Sequence, residues 1–231
     1  MTSGVLIVGA GLSGAVMARQ LAELGHKVTV LDQRNHVAGN CHTARDAATG
    51  VLMHVYGPHI FHTDDAKVWA YVNRYATFKP FQHRVKTTVA GQVYALPVNL
   101  HTINQFFGKA LSPQQARDFL AAQADASLAT PQNFEEQALS LIGPHLYKAF
   151  FKFYTQKQWG VDPKQLPASI LKRLPVRFTY DDNYFFHTFQ GMPEQGYTAM
   201  VTRMLDHPAI TLHLNTAFTR AQAAGFDHVF Y

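Results

Sequence analysis

The chain has 231 residues, of which 47% are hydrophobic and 15% are charged, and these proportions are those of an ordinary globular protein. This length can form one large domain or two small ones. No apolar run approaches the ~18 residues that span a bilayer, and the first four residues lack the basic start of a secretory signal. Cys41 is the only cysteine, which excludes an intrachain disulfide and a paired-thiol redox mechanism. We therefore predict a cytoplasmic protein without a membrane span.

The net charge is +5, and thirteen histidines add latent positive charge. This balance favours an anionic ligand such as a nucleotide diphosphate, although a solvated basic surface has the same charge. The basic residues form no long run of the kind that binds nucleic acid, so no nucleic-acid partner is predicted.

The N-terminal segment has the pattern of a dinucleotide-binding unit. An apolar strand at residues 5–8 leads into a G-x-G-x-x-G motif and a helical segment, and a second apolar strand at 28–31 ends at Asp32. The glycines of the motif are Gly9, Gly11 and Gly14. They permit a tight turn, the approach of a pyrophosphate to the backbone, and close packing of helix on strand. The N–H groups at the helix start would bind the diphosphate, and Asp32 would accept hydrogen bonds from a ribose.

The rest of the chain alternates between helical and strand patterns. The predicted elements are a helix over 64–75, a hairpin over 84–96, helices between 102 and 154, strands over 176–179 and 184–189, a helix over 196–205, and strands over 210–214 and 226–231. Gly143-Pro144 is predicted to interrupt the last of the helices before residue 154. This order predicts an α/β fold, in which a Rossmann-like domain is interrupted by a helical insertion and an antiparallel β-sheet part.

Three parts are predicted along the chain. The dinucleotide-binding domain is discontinuous and consists of residues 1–80 and 196–231. The antiparallel part consists of residues 81–100 and 175–195, and the helical insertion of residues 101–174. Because the sequence stops within the apolar strand at 226–231, we expect this strand to be buried and the chain to be truncated there.

Histidines form two groups, His36 with His42 and His54 with His59 and His62. His59 and His62 have an i, i+3 spacing that can bind zinc on a helix, but Gly57-Pro58 favours a turn. No Cys, Asp or Glu stands at ligand spacing, so no metal site is predicted. His59 is interpreted as a loop residue that contacts a cofactor. The alternative for His62 is a structural histidine whose ring nitrogens are hydrogen-bonded within the fold.

The segment Tyr154–Gly160 combines hydroxyls, an amide, a cation and an indole, and it follows Phe150 and Phe153. Aromatic faces can stack a nucleobase, and a tryptophan beside a polar helix end is a common pocket wall. The alternative is that Phe150, Phe153 and Trp159 are core positions of the helical insertion.

Two arginines, Arg173 and Arg177, flank Pro175 in a predicted loop. Arginine is suited to bidentate phosphate binding, but a solvated basic loop has the same pattern. Residues 181–183 fit an Asx-type turn that presents Tyr184 better than they fit a cation site.

In combination, these motifs resemble those of bacterial UDP-galactopyranose mutases. The segments that carry the resemblance are Gly9-Ala10-Gly11-Leu12-Ser13-Gly14, Arg34-Asn35-His36 with Gly39-Asn40, Tyr56-Gly57-Pro58-His59-Ile60-Phe61-His62-Thr63, Tyr154-Thr155-x-Lys157-Gln158-Trp159-Gly160, Lys172-Arg173-x-Pro175-Val176-Arg177-Phe178 and Asn183-Tyr184-Phe185. The second histidine segment and the tryptophan segment are far more specific than the glycine motif. The resemblance covers nearly the whole chain.

The resemblance implies an FAD enzyme that interconverts UDP-galactopyranose and UDP-galactofuranose without net redox change. In such enzymes N5 of the reduced flavin forms a covalent adduct with the anomeric carbon of the sugar. A homodimer and a role in supplying galactofuranose for cell wall and lipopolysaccharide are implied as well. An amine-oxidase-like FAD oxidoreductase and an inactive truncated remnant remain open as alternatives.

The resemblance also assigns site residues. The implied cofactor-binding residues are Gly9, Gly11, Gly14, Asp32, Gly39, Asn40, His59, Ile60 and Thr216. The implied substrate-binding residues are His83, Phe150, Tyr154, Thr155, Trp159, Arg173 and Tyr184. Arg173, on a mobile loop that closes on the diphosphate, and His59, against the flavin, are the implied catalytic residues.

Three features depart from the family pattern. Ala38 stands where the family has the first glycine of a G-G-N segment. His83 stands where relatives have an asparagine that contacts the substrate. The family also extends well over a hundred residues beyond Tyr231, with further diphosphate-binding arginines and tyrosines. We therefore expect this chain to lose its flavin on gel filtration.

Overall fold

The computed structural model describes residues 4–173 and 176–231, with the side chains of Lys172 and Arg173 left out. The chain forms two compact units. The first unit consists of residues 1–81 and 187–231, and the second of residues 82–186. The hairpin over 84–96 thus belongs to the same unit as the helices that follow it. The finer division into three parts stays a prediction.

Eleven strands and seven α-helices are found in the described residues. The strands are β1 (Gly4–Val8), β2 (Lys27–Leu31), β3 (Thr43–Arg45), β4 (Leu52–His54), β5 (Phe61–Thr63), β6 (Phe78–Pro80), β7 (Val85–Val89), β8 (Gln92–Leu96), β9 (Phe189–Pro193), β10 (Ile210–His213) and β11 (His228–Phe230). The helices are α1 (Leu12–Glu23), α2 (Ala66–Asn73), α3 (Leu100–Phe107), α4 (Pro113–Gln123), α5 (Phe134–Leu146), α6 (Phe153–Trp159) and α7 (Gly196–Leu205). None of these helices has the length and apolar character needed to cross a membrane.

The first unit is built on a four-stranded parallel sheet in the order β10-β2-β1-β11. This is the 3-2-1-4 order of a Rossmann half, and it confirms the predicted α/β fold. The branched side chains of Val5, Leu6 and Ile7 are buried on both faces of β1, and Leu6 is fully buried. The buried face of α1 presents Ala15, Ala18 and Ala22, whose small side chains let the helix approach the sheet. Burying a residue such as Leu6 contributes ~1.5–3 kcal/mol to folding.

A second, antiparallel sheet in the same unit has the order β5-β9-β6. Helix α2 packs beside it and begins at Asp65, whose carboxylate accepts hydrogen bonds from the N–H groups of Lys67 and Val68. The rings of Phe61, Trp69, Phe78 and Phe189 lie within 4.9–5.9 Å of one another and fill the space between helix and sheet. Antiparallel sheet structure is therefore present, as the predicted fold class requires, but of this sheet only β9 lies within the residues predicted to form the antiparallel part.

Two strand predictions were wrong. Residues 176–179 and 184–188 form no strand, because their backbone groups bond to a helix start and to loop segments instead of to a sheet. The last strand, β11, was expected to be buried, but its three residues are exposed. It pairs with β1 alone at the edge of the sheet, so one of its sides has no strand beside it in the described structure.

The second unit joins the β7–β8 hairpin to helices α3 to α6. Ala90 and Gly91 form the hairpin turn with φ of 48° and 78°, as a two-residue type I′ turn requires. Ser112 and Gln115 make a reciprocal capping box at the start of α4. Gly143, with φ of 70°, interrupts α5 at the predicted position. The core of this unit contains Leu100, Ile103, Leu120, Phe134, Ile142, Leu146 and Phe150.

Candidate functional site

A cleft of about 390 Å³ lies at the carboxyl end of the parallel sheet in the first unit. Its lining residues are Val8, Gly9, Gly11, Leu31, Asp32, Gln33, Arg34, Gly39, Asn40, Thr216, Ala217, Phe218 and Tyr231. The lining comes from the segments that follow β1, β2, β10 and β11. The order of strands reverses between β1 and β11, and ligands of open α/β sheets bind at such a point.

Helix α1 points an uncapped N-terminus at this cleft. Gly11 is the N-cap residue, no side chain of the described structure bonds to the first turn, and the first turn contains no acidic residue. The free N–H groups and the positive end of the helix dipole favour an anion such as a diphosphate. Gly14 of the motif is sterically required, since a Cβ on residue 14 would lie 1.9 Å from the Gly9 carbonyl oxygen.

Asp32 directly follows β2, and its buried carboxylate connects the two sides of the cleft by hydrogen bonds. Its Oδ2 accepts from the Ala10 N–H at 2.8 Å, and its Oδ1 accepts from the Arg34 N–H at 2.8 Å. A carboxylate has about four acceptor positions, so Asp32 has room for a ribose hydroxyl as well. The backbone of Thr216 is tied to the same place, because its N–H donates to the Asp32 carbonyl oxygen at 2.9 Å.

The segment after β2 closes over the glycine turn. Ala38 adopts φ of 73°, a left-handed conformation that favours glycine, and its N–H donates to the Ala10 carbonyl oxygen at 2.9 Å. A Cβ on Gly39 would lie 3.3 Å from the Gly11 Cα. Asn40 accepts a hydrogen bond from the Arg34 guanidinium at 3.0 Å. Alanine at position 38 therefore keeps the loop conformation that a glycine would adopt.

His59 belongs to a separate group of histidines in the first unit, and neither it nor Ile60 lines the cleft. The Nδ1 atom of His54 lies 3.2 Å from the His59 N–H and accepts from it, and burial, followed by the nearby His59 ring, lowers the pKa of His54. The His59 Nδ1 lies 2.9 Å from the Gly57 carbonyl oxygen, which assigns the proton to Nδ1 and leaves Nε2 as an acceptor.

In the other histidine group, the two rings stack on each other. The rings of His36 and His42 are 3.8 Å apart, and His36 Nε2 lies 2.8 Å from the Tyr56 hydroxyl. Burial and, secondarily, the neighbouring His36 lower the pKa of His42, which disfavours a charged pair. Within the described residues, no group of three or more His, Cys, Asp or Glu side chains could hold a metal ion.

In the second unit, helix α6 presents an aromatic surface. Tyr154 and Trp159 are more than half exposed, whereas Thr155 between them is 2% exposed. The Thr155 Oγ1 is buried and has no hydrogen-bond partner in the described part of the chain. A buried hydroxyl without a partner is costly, so this atom is a candidate for a ligand contact.

Phe150 lies elsewhere in the same unit. Its ring packs edge-to-face on Tyr94 at 5.3 Å and on Phe106 at 5.2 Å, and it is 6% exposed. This placement matches the core alternative weighed for Phe150, and its contact with a substrate stays a prediction. The same alternative does not hold for Trp159 or for Phe153, which is 61% exposed.

A π-helical segment, Tyr147–Lys152, explains how neighbouring aromatics point in different directions. Its wider turn shifts the phase of the helix just before α6, so Phe150 and Phe151 are buried whereas Phe153 and Tyr154 are exposed. Such segments are frequent at functional sites. Residue spacing alone assumes a period of 3.6 and misses this shift.

Tyr184 and His83 lie together in the second unit. The Tyr184 N–H donates to the His83 carbonyl oxygen at 2.7 Å, and the two rings meet edge-to-face at 5.4 Å. The predicted Asx turn is present, because the Asp181 carboxylate accepts from the Asn183 N–H at 2.8 Å. The side chain of Arg173 lies outside the described residues, so its predicted role stays a prediction.

Sequence reasoning missed several residues of the cleft, namely Arg34, Ala217, Phe218 and Tyr231. Their common signal is position after a parallel strand, since the carboxyl ends of β2, β10 and β11 meet at one edge of the sheet. The ring of Phe218 lies 5.6 Å from that of Tyr231, which gives the cleft an aromatic wall.

Comparison with known proteins identifies the family. A family model described as UDP-galactopyranose mutase matches residues 149–231, and one described as an NAD(P)-binding Rossmann-like domain matches residues 7–75. A probable UDP-galactopyranose mutase from Klebsiella pneumoniae is 58% identical over 98% of this chain. The chain belongs to the UDP-galactopyranose mutase family. The motif-based resemblance is thereby confirmed.

The members of the UDP-galactopyranose mutase family that match are longer than this chain. The chain spans 59% of the length of the Klebsiella protein and 62% of a dTDP-fucopyranose mutase from Escherichia coli, to which it is 53% identical over 98% of its own length. A crystal structure of reduced UDP-galactopyranose mutase has a TM-score of 0.72 at 20% identity, covering 94% of this chain and 50% of that one. That similarity shows a shared fold.

Proposed function

We propose that this chain carries the cofactor site and the nucleotide-sugar site of a UDP-galactopyranose mutase, an isomerase that interconverts UDP-galactopyranose and UDP-galactofuranose. The observation that carries the proposal is helix α6, where the buried Thr155 hydroxyl, which has no hydrogen-bond partner among the described residues, lies in sequence between two exposed aromatics. This surface falls within the region that matches the mutase family model. A nucleotide-sugar offers a base to stack and polar groups to satisfy such a hydroxyl.

FAD is the proposed cofactor, and the cleft of the first unit fits it. The uncapped start of α1 suits the diphosphate, and the glycine at position 11 lets it approach the backbone. Asp32 and Thr216 would hold the adenosine part, with Gly39 and Asn40 closing over it. The reduced flavin would supply the nucleophile of the reaction, which explains why no side-chain nucleophile is needed.

The residues of the second unit would bind and orient the nucleotide-sugar. Tyr154 and Trp159 provide exposed aromatic faces, and the Thr155 hydroxyl provides a polar contact in a buried position. Tyr184 would reach the diphosphate, with His83 packed beside it. Arg173 would add positive charge to the diphosphate, the leaving group of the reaction.

His59 would lie against the flavin with its Nε2 free to accept a hydrogen bond. Its Nδ1 proton is held by a backbone carbonyl, so the ring is fixed in one tautomer in its neutral form.

A dTDP-fucopyranose mutase is the second candidate, because such an enzyme is 53% identical to this chain. Both candidates contract or expand a sugar ring on a nucleoside diphosphate, and they differ in the base and in the sugar 6-position. An amine-oxidase-like oxidoreductase would instead transfer electrons from its substrate to the flavin. A homodimer in the cytoplasm, supplying galactofuranose for cell-surface glycans, completes the proposal.

The proposal is tested with the protein expressed from its complete gene and loaded with FAD. The reduced protein is incubated in parallel with UDP-galactofuranose and dTDP-fucofuranose, and the products are separated by chromatography. Faster conversion of UDP-galactofuranose supports the first candidate, and faster conversion of the dTDP sugar supports the second. Reduction of oxidised flavin by an amine substrate, with no sugar isomerisation, would establish an oxidoreductase.

A further inference from the structure

The segment that presents Tyr184 has no regular secondary structure, yet it is held in place. Residues 176–188 form neither helix nor strand, apart from a single bridge between Asn183 and Arg84. A loop of this kind can fix a side chain only through specific anchors. Arg177, the second arginine of the basic loop, provides the buried anchor.

Arg177 contacts the turn through its backbone and its side chain. Its N–H donates to the Val98 carbonyl oxygen at 2.9 Å, just before α3. Its guanidinium donates from one terminal nitrogen to the Asn183 carbonyl oxygen and from the other to the Tyr184 carbonyl oxygen, at 3.0 Å in the second case. The guanidinium also lies 4.0 Å from the centre of the Phe186 ring.

These contacts require arginine. Two adjacent carbonyl oxygens match the two terminal nitrogens of a planar guanidinium, and the flat face of the same group stacks on a ring. A lysine ammonium is a compact charge that cannot make both contacts and stack. Arg177 is 9% exposed, and burial lowers its pKa, so the chain places a costly charge here.

The other anchors of the turn lie nearer to the surface. Asp182 pairs with Arg84 at 3.1 Å and with Lys86 at 3.0 Å, and the side chains of both cations are more than half exposed. Exposed ion pairs of this kind stabilise weakly. The Tyr184 N–H bond to His83 fixes one backbone group, whereas Arg177 holds two carbonyl groups from the buried side.

We propose that Arg177 is a positioning residue that fixes the Asn183–Tyr184 backbone and thereby places the Tyr184 side chain for the diphosphate of the nucleotide-sugar. The part that concerns the ligand rests on the proposed function. The part that concerns the turn rests on contacts within the second unit alone.

The first test measures the turn without a ligand. Amide hydrogen exchange is followed in the wild type and in the variants Arg177→Met and Arg177→Lys. We expect the Tyr184 amide to exchange at least tenfold faster in both variants, the scale set by losing a hydrogen bond to a charged group. Amides of the β7–β8 hairpin should be unchanged. An unchanged rate at Tyr184 in either folded variant would overturn the positioning role.

The matched control is Arg117→Met. Arg117 also stacks on a phenylalanine, with its guanidinium 4.3 Å from the Phe178 ring, but it is exposed and makes no hydrogen bond to the turn within the described residues. Its loss should leave the Tyr184 amide unchanged. Should Arg177→Met fail to fold, Arg177→Lys decides the test, because it keeps the charge and the aliphatic stem while losing the paired donors.

The second test measures the consequence with UDP as the probe, by calorimetry. We expect Arg177→Met to weaken UDP binding about tenfold, and Arg177→Lys to restore little of it. In the double variant with Tyr184→Ala, the losses of UDP-binding free energy from the two single variants should not add, because Arg177 acts through Tyr184. If the wild type binds UDP and Arg177→Met binds it with the same affinity, the inference is overturned and the proposed function stays intact. A wild type that binds no UDP overturns the proposed function, whereas the exchange test still decides the role of Arg177 in the turn.

Discussion

The Gly14 backbone lies against the Gly9 carbonyl oxygen so closely that a Cβ on residue 14 would come within 1.9 Å of it. This contact sets the distance between the first strand and the first helix, and the phosphate cradle depends on it. The cradle therefore tolerates no side chain at this position.

Gly14→Ala is predicted to destabilise the first unit by about 1–3 kcal/mol and to remove FAD binding, because the helix must move away from the turn. The measurements are flavin absorbance after gel filtration and the thermal unfolding temperature, both made on the protein expressed from the complete gene. Gly225→Ala is the control, since a Cβ there meets no atom within 4 Å. Retention of flavin by Gly14→Ala, at wild-type stability, would count against the cradle.

Asp32→Asn is predicted to cost about 1–3 kcal/mol of folding stability, because the amide turns a donor toward one of two backbone N–H groups. Those groups belong to Ala10 and Arg34, and both donate to the carboxylate at 2.8 Å. Urea unfolding measures the change, with Asp65→Asn as an exposed comparison at a helix start. A loss of FAD affinity without a loss of stability would mean that Asp32 serves the ligand alone.

Thr155→Val is predicted to keep or raise stability while weakening UDP binding. Valine has nearly the shape of threonine, and it removes a buried hydroxyl that has no partner in the described structure. Thermal unfolding and UDP calorimetry are compared in one preparation. Thr102→Val is the matched control, because that buried hydroxyl donates to the Ala95 carbonyl oxygen at 2.6 Å and its loss should lower stability. Unchanged UDP affinity in Thr155→Val would argue against the α6 site.

Stability is predicted to fall as the pH drops from about 7 to 5. Three histidines, His42, His54 and His62, have pKa values below the ordinary 6.5, chiefly because burial disfavours the cation. The unfolded state therefore binds more protons in this window. The burial of the three neutral histidines carries no penalty above about pH 6.5, and the free energy of unfolding declines below that pH. Unfolding free energies at pH 7.5, 6.0 and 5.0 test this. His54→Asn should flatten the dependence, and stability that rises on acidification would contradict it.

Most of the fold followed from local rules. The hairpin over 84–96 and the break at Gly143 were each predicted from residue type, because their conformations are decided within a few residues. The Rossmann-like parallel unit followed from the glycine motif and the strands around it.

The predictions that failed depend on distant contacts. The strands expected over 176–179 and 184–189 have suitable side chains, but a buried arginine and an Asx turn take up the backbone groups that a sheet would use. The exposure of Trp159 and the burial of Phe150 depend on the π-helical segment, whose extra width is invisible to a helical period. Exposure of β11 depends on which strand stands beside it, and sequence pattern does not specify that.

Ring expansion of the nucleotide-sugar by the reduced protein is the decisive measurement. The protein from the complete gene, loaded with FAD and reduced by dithionite, is incubated with UDP-galactofuranose, and UDP-galactopyranose is quantified against a sample kept oxidised. We expect rapid conversion by the reduced protein and little by the oxidised one. Equal conversion in both samples, or none in either while UDP binds normally, would contradict it.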